Sequence, residues 1–567
     1  MNKPSISTAA TGKVGNYITQ NGSVQFDEGK DRYLTVMMGE AYVEGFVFDP
    51  ATNTTTCAIA ISPFVKGAKP CMVRVEMAKL SNPKAICEIL GARGIVVCHA
   101  QHASKYLLAS AVTAGKLAAR ELVKSPRWVA GHRAFFTGKK LIASSGIDVD
   151  SFWVECSRDS AMQSRGTPEG WRTQIGTLIV ANPIMLAMTC ISIGSPFLDR
   201  LGLSSSLYNL CGPKGLGKTL VQQCAASIFG NAVDPAQGAQ VQDVAYIARF
   251  NGTLNGFEVL LGRYSPLPVL LDELTEGSAS IVYQACYMMA SGEGKHRMTS
   301  TGEAAARERW QSNVIVSAEV SIADTIAASG KPMHGGQSDR AIDIPIGDVG
   351  VLNCFSSFDS FNAATSHLKR ACGEQYGTAG EAIIQYCCDN PDVVNDLLAM
   401  APDIENELLP PDCGPGERRV VKRFAGAVVA GRIAVMAGVF DEDALDKIDA
   451  AIKLVVSLWW GARSRALDRV RQFLDENTAD IQMGKPELDC EAVAFVADDI
   501  TVIPVDVFNR EFGGEGEATR MLNDLAGLNA LKIEQPGRRV CRFCNNRVRG
   551  YAILTKRIWP DLDCIAA

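Results

Sequence analysis

The stretch that most constrains the fold is residues 207–230, where a short apolar run leads into a glycine-rich loop and then into an amphipathic helical pattern. The loop consists of Gly212, Pro213, Lys214, Gly215, Leu216, Gly217, Lys218 and Thr219. Glycines at this spacing let successive backbone N–H groups point at phosphate oxygens, and the following helix offers its positive N-terminal end. In such a loop the lysine reaches the β- and γ-phosphates and the threonine hydroxyl ligates Mg²⁺. The sequence therefore predicts a site for ATP and Mg²⁺ that includes Lys218 and Thr219.

A second apolar run, Pro268 to Leu271, ends in the acidic pair Asp272 and Glu273. An acidic pair at the tip of a buried strand is typical of the second half of a nucleotide site. Asp272 is expected to hold Mg²⁺ through water, and Glu273 to polarise the attacking water. The alternative is a strand that ends in a solvated acidic turn.

A third apolar strand, Val314 to Val316, is closed by Ser317, Ala318 and Glu319, and helical patterns separate the three strands. Strands that alternate with helices, with the chemistry at the strands' carboxyl ends, predict an α/β core built on a doubly wound parallel sheet.

Length and composition narrow the choice further. At 567 residues the chain is too long for one core, and its net charge of −6 requires any basic surface to be local. Eighteen cysteines without regular spacing, and no secretory apolar segment at the start, favour a cytoplasmic location. The uncharged run from Thr173 to Leu198 is long enough to span a bilayer, but Pro183, Gly194 and Pro196 favour two buried helices and no membrane partner.

Composition shifts along the chain predict five segments. They are a disordered N-terminus at 1–24, an N-terminal α+β domain at 25–155, an ATPase core at 156–350, a helical lid at 351–480 and a basic winged-helix-like domain at 481–567.

A β-hairpin is predicted before the third strand, from Gly292 to Trp310. Alternation places Lys295 and Arg297 on one face of it. Basic residues on a hairpin that faces a ring pore would hold a single-stranded nucleic-acid backbone. The alternative is a solvated surface hairpin.

Three further arginines are candidates for the γ-phosphate. Arg340, which precedes the apolar strand Ala341 to Ile346, could reach a neighbouring subunit's nucleotide as an arginine finger, or could form an intrachain ion pair with Asp339 or Asp343. Arg419 and Arg423 lie one helical turn apart, where a lid over the nucleotide or a plain solvated helix start is equally compatible with the pattern.

The tail carries a local basic patch. Residues 535–557 contain seven basic residues and no acidic one, which predicts a phosphate-binding surface. Its members are Arg538, Arg539, Arg542, Arg547, Arg549, Lys556 and Arg557. Cys541 and Cys544 resemble half of a zinc site, but only Cys564 is nearby as a further ligand.

Taken together, these residues resemble the family of the domain of unknown function 927, helicase-like proteins of mobile genetic elements, over about residues 80–475. The resemblance rests on residues 166–171, the phosphate loop, Leu270 to Glu273, residues 294–297, Trp310 to Glu319, Asp339 to Pro345 and Tyr376 to Gly380. It implies an AAA+ motor similar to self-loading replicative helicases and to the minichromosome-maintenance helicases. It also implies the roles given above for Lys218, Thr219, Asp272, Glu273, Lys295, Arg297 and Arg340. Either Ser317 or Glu319 would sense the γ-phosphate, since the family's usual Ser-Thr-Gly-Glu is Ser-Ala-Glu here.

The expected function is that of an ATP-dependent replicative DNA helicase that acts as a ring, a hexamer by expectation. Its partners would be single-stranded DNA in the pore, duplex DNA at an origin, and primase or loader proteins. Two alternatives are a nucleic-acid-binding AAA+ switch or scaffold that hydrolyses ATP without unwinding, and a P-loop kinase or other small-molecule transferase.

Overall fold

The computed structural model describes residues 12–156, 162–234, 245–298, 307–328, 339–347, 350–410, 413–485, 492–497, 499–528, 530–533, 539–543 and 548–559. The chain forms two compact units, Met1–Lys124 with Ser145–Ser157, and Ser125–Ser144 with Arg158–Ala567. The predicted N-terminal domain of 25–155 is therefore not one unit, because Ser125–Ser144 packs with the second.

The first unit combines two five-stranded sheets with three helices. Its strands are β1 (Lys13–Val14), β2 (Tyr17–Gln20), β3 (Ser23–Gly29), β4 (Arg32–Met38), β5 (Glu40–Asp49), β6 (Thr54–Ser62), β7 (Cys71–Glu76), β8 (Val96–Val97), β9 (Arg120–Val123) and, after the insertion of Ser125–Ser144, β13 (Phe152–Val154). Its helices are α1 (Met77–Leu80), α2 (Pro83–Gly91) and α3 (Ala100–Ala114). The sheet orders are β1-β2-β3-β4-β8 and β13-β9-β5-β6-β7, and Val36, Ile59 and Leu107 are fully buried in the shared core.

The predicted disorder of residues 1–24 is wrong for the described part of that segment. Residues 13–24 lie in β1, β2 and the start of β3, and Tyr17 is buried. Gly15, Asn21 and Gly22 have positive φ angles of 59°, 52° and 71°. The Gly and Asn content that favoured disorder thus supplies the tight turns of two hairpins.

The second unit begins with a small antiparallel sheet of β10 (Arg127–Val129), β11 (Ala134–Phe136) and β12 (Leu141–Ala143). The indole of Trp128 in β10 donates a hydrogen bond to the carbonyl of Pro196 at 2.8 Å, which holds the sheet to the helices that follow. Those helices are α4 (Pro168–Trp171), a π-helical turn (Arg172–Gly176), α5 (Thr177–Val180) and α6 (Pro183–Gly194). Residues 184–194 of α6 are all buried, so the apolar run is a core helix. None of the helices in the described ranges combines the length and apolar character that a membrane span requires.

A parallel sheet forms the centre of this unit. Its strands are β14 (Ser206–Cys211), β15 (Ala248–Arg249), β16 (Val269–Asp272), β17 (Asn313–Ala318) and β18 (Ala341–Pro345), in the order β15-β16-β17-β14-β18. Its helices are α7 (Lys218–Ser227), α8 (Leu254–Tyr264), α9 (Ala279–Ser291) and α10 (Ile322–Ala328). Every residue of β14 and β17 is buried, as expected for parallel strands covered on both faces. Because the strands are parallel, the ends of β14, β16 and β17 that carry the predicted site meet at one edge.

Helices follow the sheet, namely α11 (Phe361–Glu374), α12 (Thr378–Asp389), α13 (Pro391–Ala399), α14 (Ala401–Leu408), α15 (Pro415–Met436) and α16 (Ala444–Glu476). Both α15 and α16 pack against α6. The amphipathic patterns of this region thus cover the apolar helix that precedes the phosphate loop.

The tail contains β19 (Ile481–Met483), β20 (Ala494–Ala497), β21 (Ile500–Pro504), α17 (Val505–Glu511), α18 (Gly514–Gly527), β22 (Val540–Phe543), β23 (Val548–Leu554) and α19 (Thr555–Ile558). Its sheet has the order β19-β20-β21-β23-β22. Leu467, Val470 and Leu474 of α16 belong to the same apolar core as Phe508 and Leu525 of the tail. The predicted boundary at 480 therefore divides a region that shares one core, and the winged-helix assignment stays a prediction.

Candidate nucleotide-binding site and basic surfaces

The phosphate loop joins the carboxyl end of β14 to the amino end of α7. A side chain at Gly212 would place its Cβ 2.8 Å from the carbonyl oxygen of Ile346, so only glycine fits there. Gly217, which precedes the helix, has a left-handed conformation with φ 91°. The glycines therefore shape an open loop at a helix N-terminus, and this cradle fits a polyphosphate.

Lys218 lies in the mouth of this loop. Its Nζ donates to the carbonyl oxygens of Gly212 at 2.6 Å and Pro213 at 2.8 Å, and only 8% of the residue is exposed. Burial lowers the pKa of the Lys218 ammonium, against the opposing effect of the Glu273 and Glu319 carboxylates. The ammonium is thus held by the loop itself, where phosphate oxygens are its expected acceptors.

The acidic strand meets the loop through hydroxyl groups. The Asp272 carboxylate accepts hydrogen bonds at the same oxygen from the hydroxyls of Thr219 at 3.2 Å and Ser317 at 2.7 Å. These groups come from three different elements, α7, β16 and the end of β17. A carboxylate beside a threonine hydroxyl is a hard oxygen donor set of the kind that Mg²⁺ accepts, together with phosphate oxygens and water. The residues present therefore fit the predicted cation.

Glu273 follows in a strained backbone conformation. Its φ of 57° and ψ of 73° are left-handed, which is uncommon for a residue other than glycine and is concentrated at functional sites. Its N–H donates to the Ser317 hydroxyl at 3.0 Å, and its carboxylate accepts a hydrogen bond from the Thr275 hydroxyl. Thr275 was not singled out by the sequence analysis, because a hydroxyl two residues beyond an acid carries no motif.

Ser317 is one of the two predicted sensors of the γ-phosphate, a role that stays a prediction. Its hydroxyl donates to Asp272 and accepts from the N–H of Glu273, and the residue is 1% exposed. The other candidate sensor, Glu319, forms an ion pair with Lys214 at 2.9 Å on the exposed side of the loop. The hydrogen bond to Glu319 raises the pKa of Lys214. Ser317 therefore orients the two acids, and Glu319 lies beside the loop.

Arg340 lies at the opposite edge of the sheet. Its carbonyl oxygen accepts from the N–H of Leu207 at 2.8 Å, which places it at the amino end of β14. The five-residue strand β18 separates the two edges by about 17 Å. Arg340 is exposed, and among the described residues no carboxylate lies within ion-pair distance of it. The predicted intrachain pairs with Asp339 and Asp343 are thus absent from the described part of the chain, and Arg340 is remote from the phosphate loop of its own chain.

Arg419 and Arg423 also lie at this amino edge, remote from the phosphate loop of their own chain, and a role for them at a nucleotide stays a prediction. Arg423 is buried and donates to the Ser204 hydroxyl and the Arg419 carbonyl, both at 2.9 Å, and to the Ser206 hydroxyl. Burial lowers the pKa of the Arg423 guanidinium. These contacts show that α15 packs along the start of β14, away from its carboxyl end.

Asp339, the residue before Arg340, is the centre of an ionic cluster. Its carboxylate pairs with Arg463 at 3.4 Å and Arg419 at 3.7 Å, and Arg463 also reaches the buried Glu417 at 3.4 Å. Burial raises the pKa of Asp339, against the opposing effect of Arg463. This cluster fixes the backbone from which Arg340 projects.

The predicted hairpin is present in its described part. Glu293 pairs with Arg309, and the N–H of Gly294 donates to the carbonyl of Glu308 at 2.9 Å. Residues 299–306 lie outside the described ranges. Lys295 and Arg297 are both exposed, and the Arg297 guanidinium is paired with Glu258 at 2.6 Å. Contact of either cation with a nucleic-acid backbone stays a prediction.

In the tail, Arg542 of β22 stands directly opposite Arg549 of β23, and both are exposed. Burial lowers the pKa of Arg539, which is half-buried. Arg538 and Arg547 lie outside the described residues. Arg557 instead donates to the carbonyl of Leu528 at 2.7 Å and pairs with Glu417 at 3.5 Å, so it has a structural role.

Cys541 is buried, and its thiol donates to the carbonyl of Lys532 at 3.6 Å. Its possible partners Cys544 and Cys564 lie outside the described residues. Within the described ranges, no cluster of three or more His, Cys, Asp or Glu side chains could hold a metal.

Comparison with known proteins supports the fold. No curated protein matches the sequence at a significant level. A solved structure titled as SCCmec type IV Cch, an active helicase, superimposes with a TM-score of 0.62 at 15% sequence identity, covering 96% of this chain and 98% of that chain. The likeness thus extends over nearly the whole of both folds.

The family match includes the phosphate loop, the acidic strand and nearly all of the hairpin. Residues 27–309 match the model of the domain of unknown function DUF927, a range that begins and ends earlier than the expected 80–475. The chain belongs to the DUF927 family.

Proposed function

We propose that the chain is an ATP-dependent DNA helicase of a mobile genetic element, with an AAA+ motor that acts as a cytoplasmic ring, most simply a hexamer. One observation carries the proposal. Thr219, Asp272, Glu273 and Ser317 converge beside the phosphate loop at the carboxyl edge of a parallel sheet, where Lys218 is held in the loop mouth. A strand order that changes direction around β14 puts this edge at a topological switch point, which is where open α/β sheets bind ligands.

Each side chain has a distinct chemical role in this proposal. Lys218 and the loop N–H groups bind and orient the phosphates. Thr219 and Asp272 hold Mg²⁺, which neutralises charge on the phosphate oxygens when it is bound. Glu273 accepts the proton of the attacking water, and its strained backbone aims the carboxylate. Ser317 keeps Asp272 and Glu273 in register.

The helicase assignment rests on the neighbour and on the basic surfaces. The solved structure with the same fold is titled an active helicase of an SCCmec element. In our chain the exposed Lys295 lies on the hairpin before β17, and in a ring it would hold a single strand in the pore. The opposed Arg542 and Arg549 offer a second site for duplex phosphates, as a winged tail at an origin would require. Primase or loader proteins are the partners that a replicative role implies.

The ring is supported by the position of Arg340. This arginine is exposed and about 17 Å from the phosphate loop of its own chain, so it can act on a nucleotide only across a subunit contact. A ring supplies that contact at every site, with the amino edge of one subunit against the nucleotide of the next.

The test is strand displacement from forked DNA by the purified chain with ATP and Mg²⁺, with the oligomer sized by mass photometry. Wild-type protein is expected to form rings and separate the fork. The Lys218→Ala variant is expected neither to hydrolyse ATP nor to unwind the fork. Hydrolysis without displacement on forks of either polarity would favour the AAA+ switch or scaffold. Activity as a monomer, with no response to DNA, would favour a small-molecule transferase.

A further inference from the structure

Glu258 is a buried carboxylate that no nucleotide chemistry uses. It lies on α8, is 0% exposed, and accepts hydrogen bonds from the Arg297 guanidinium at 2.6 Å and from the main-chain N–H of Lys295 at 3.2 Å. A buried charge of this kind is strongly destabilising when its partner is removed. Both of its bonds go to the hairpin, so Glu258 ties the hairpin to α8.

The contact leaves little freedom at the base of the hairpin. A Cβ at Gly294 would lie 2.8 Å from a carboxylate oxygen of Glu258, so the hairpin backbone packs directly on the acid. Across the hairpin, Arg307 pairs with Glu293 at 2.7 Å and also donates to the carbonyl of Gly294. The Arg297–Glu258 and Arg307–Glu293 ion pairs therefore hold the two strands of the hairpin near its base.

The helix that carries Glu258 is joined to the nucleotide site. The segment before α8 includes Phe250, whose N–H donates to the carbonyl of Asp272 at 2.9 Å. The Phe250 ring stacks on Phe257, the neighbour of Glu258, with centroids 4.8 Å apart. The base of the hairpin is thus linked, through α8, to β16, the strand that ends in Asp272 and Glu273.

The side chains of the two hairpin cations, Lys295 and Arg297, differ in their contacts. Arg297 uses one guanidinium nitrogen, Nη2, to pair with Glu258 at 2.6 Å and to donate to the side-chain oxygen of Asn255 at 2.7 Å. Lys295 gives Glu258 only its backbone N–H, and its exposed ammonium has no ion-pair partner within the described ranges. A phosphodiester backbone could therefore pair with Lys295 without breaking any contact of the hairpin.

We propose that Glu258 is a positioning residue that anchors the hairpin through Arg297, and that Lys295 alone of these two cations contacts the backbone of single-stranded nucleic acid. This inference rests on the proposed function, and it reverses the equal roles that the sequence gives the two cations. Glu258 acts on nucleic acid only through the hairpin.

The salt dependence of DNA binding separates the two roles. The assay is fluorescence anisotropy of a labelled oligo-dT strand at a series of KCl concentrations, because each phosphate contact to a single strand contributes about 0.7 to the slope of log K against log salt. Lys295→Ala is expected to lower the slope by about 0.7 for each subunit that contacts the strand. Arg297→Gln is expected to leave the slope unchanged. An equal fall in both variants would overturn the proposal.

The two possible roles of Arg297, anchor of the hairpin or contact with DNA, predict opposite effects of Glu258→Gln. If Arg297 is the anchor, loss of the acid loosens the hairpin and lowers the fork-unwinding rate at least fivefold without a rise in DNA affinity. If Arg297 contacts DNA, its release strengthens binding and unwinding is kept. The control is Asp443→Asn, which removes the acid of an exposed ion pair with Lys447 and should change neither quantity.

A second readout does not depend on DNA. Thermal unfolding of Glu258→Gln, Arg297→Gln and the double variant should be non-additive, since the two groups form one buried pair. Should a single variant fail to fold, Glu258→Met with Arg297→Met removes both charges together and keeps the slope test available. Additive effects would overturn the anchor. A wild-type protein that binds no single-stranded DNA while this coupling is present would overturn the proposed function and the role of Lys295, but not the anchor.

Discussion

At the two edges of the central sheet, the charged side chains have different kinds of partner. At the carboxyl edge, the Asp272 carboxylate accepts hydrogen bonds from the Thr219 and Ser317 hydroxyls, and the Glu273 carboxylate accepts one from the Thr275 hydroxyl. At the amino edge, Asp339 is paired with two arginines, and Arg423 is buried among hydroxyl and carbonyl oxygens. Neutral partners leave the charge of an acid available for a cation, whereas ionic partners consume it.

The comparison separates ligand sites from structural clusters better than charge alone does. At the carboxyl edge, Asp272 and Glu273 have no ion-pair partner among the described residues. At the amino edge only Arg340 combines exposure with the absence of a described ionic partner. The difference predicts where substitutions remove activity and where they remove stability.

The largest effect is expected at Arg340, the exposed arginine of the amino edge that has no described ionic partner. Arg340→Ala should reduce ATPase activity of the assembled ring by about 10³-fold or more, because an arginine finger stabilises charge in the transition state. Mixing Arg340→Ala with Lys218→Ala subunits should restore part of the activity, since some contacts then join an intact finger to an intact loop. The measurement is steady-state phosphate release as a function of mixing ratio. The control is Arg510→Ala, which removes an exposed ion pair with Glu511 and should keep full activity. No recovery on mixing would place Arg340 outside the site.

At the carboxyl edge, Glu273→Gln should lower the hydrolysis rate by about 10²-fold to 10⁴-fold with nucleotide affinity retained, because the general base is lost and the binding groups are kept. Single-turnover hydrolysis and fluorescent-nucleotide titration measure the two quantities. Glu276→Gln, three residues on and outside the hydrogen-bonded set, should hydrolyse ATP normally. Equal losses in both variants would remove Glu273 from the role of base.

The distinction between charges with and without ionic partners also applies to the arginines of the tail. Arg542 and Arg549 face each other without a described acid, and opposed like charges cost about 0.2–1 kcal/mol. Changing either to Gln should lower the salt slope of duplex binding by about 0.9 and slightly raise the melting temperature. Arg557→Gln should instead lower the melting temperature and leave the slope unchanged, because Arg557 is paired with Glu417. The assays are anisotropy with a labelled duplex and calorimetry.

The smallest effect concerns Asp524, a partly buried acid in the wall of a cavity. A cavity of about 520 Å³ between β18, α10, α16 and α18 is lined by Asp324, Asp343 and Asp524. Burial, together with the carboxylates of Asp324 and Asp343, raises the pKa of Asp524 to about 7. A raised pKa means that the folded state binds the proton more tightly, so this stability is present at low pH and is lost as the pH rises through 7.

The free energy of unfolding should therefore fall by about 1 kcal/mol between pH 6 and pH 8. Asp524→Asn should flatten that dependence, whereas Asp506→Asn, an exposed acid of α17, should keep it. Urea titrations at several pH values make the comparison. An unchanged pH profile in Asp524→Asn would assign the proton to another group.

The sequence predicts local chemistry well and spatial partners poorly. The phosphate loop, the acidic strand and the hairpin follow from spacing and apolar runs, and the structure has each of them. Ser317, Arg297 and Arg423 have residue types that suit their predicted roles, yet they bond to residues 45, 39 and 219 positions away in the sequence. Glu258 carries no motif at all, because its importance is set by burial beneath a hairpin 37 residues later.

The long helix α16 has a consequence for how this protein can be divided. Its 33 residues extend about 50 Å as one element, with its first half packed on α6 and its second half inside the core of the tail. A truncation at residue 480 would strip the cover from Leu467, Val470 and Leu474 and leave an apolar stripe in water. The tail is therefore not an appendage that recombination could exchange freely, and variants that swap it between relatives should carry the junction into the loop before Ala444.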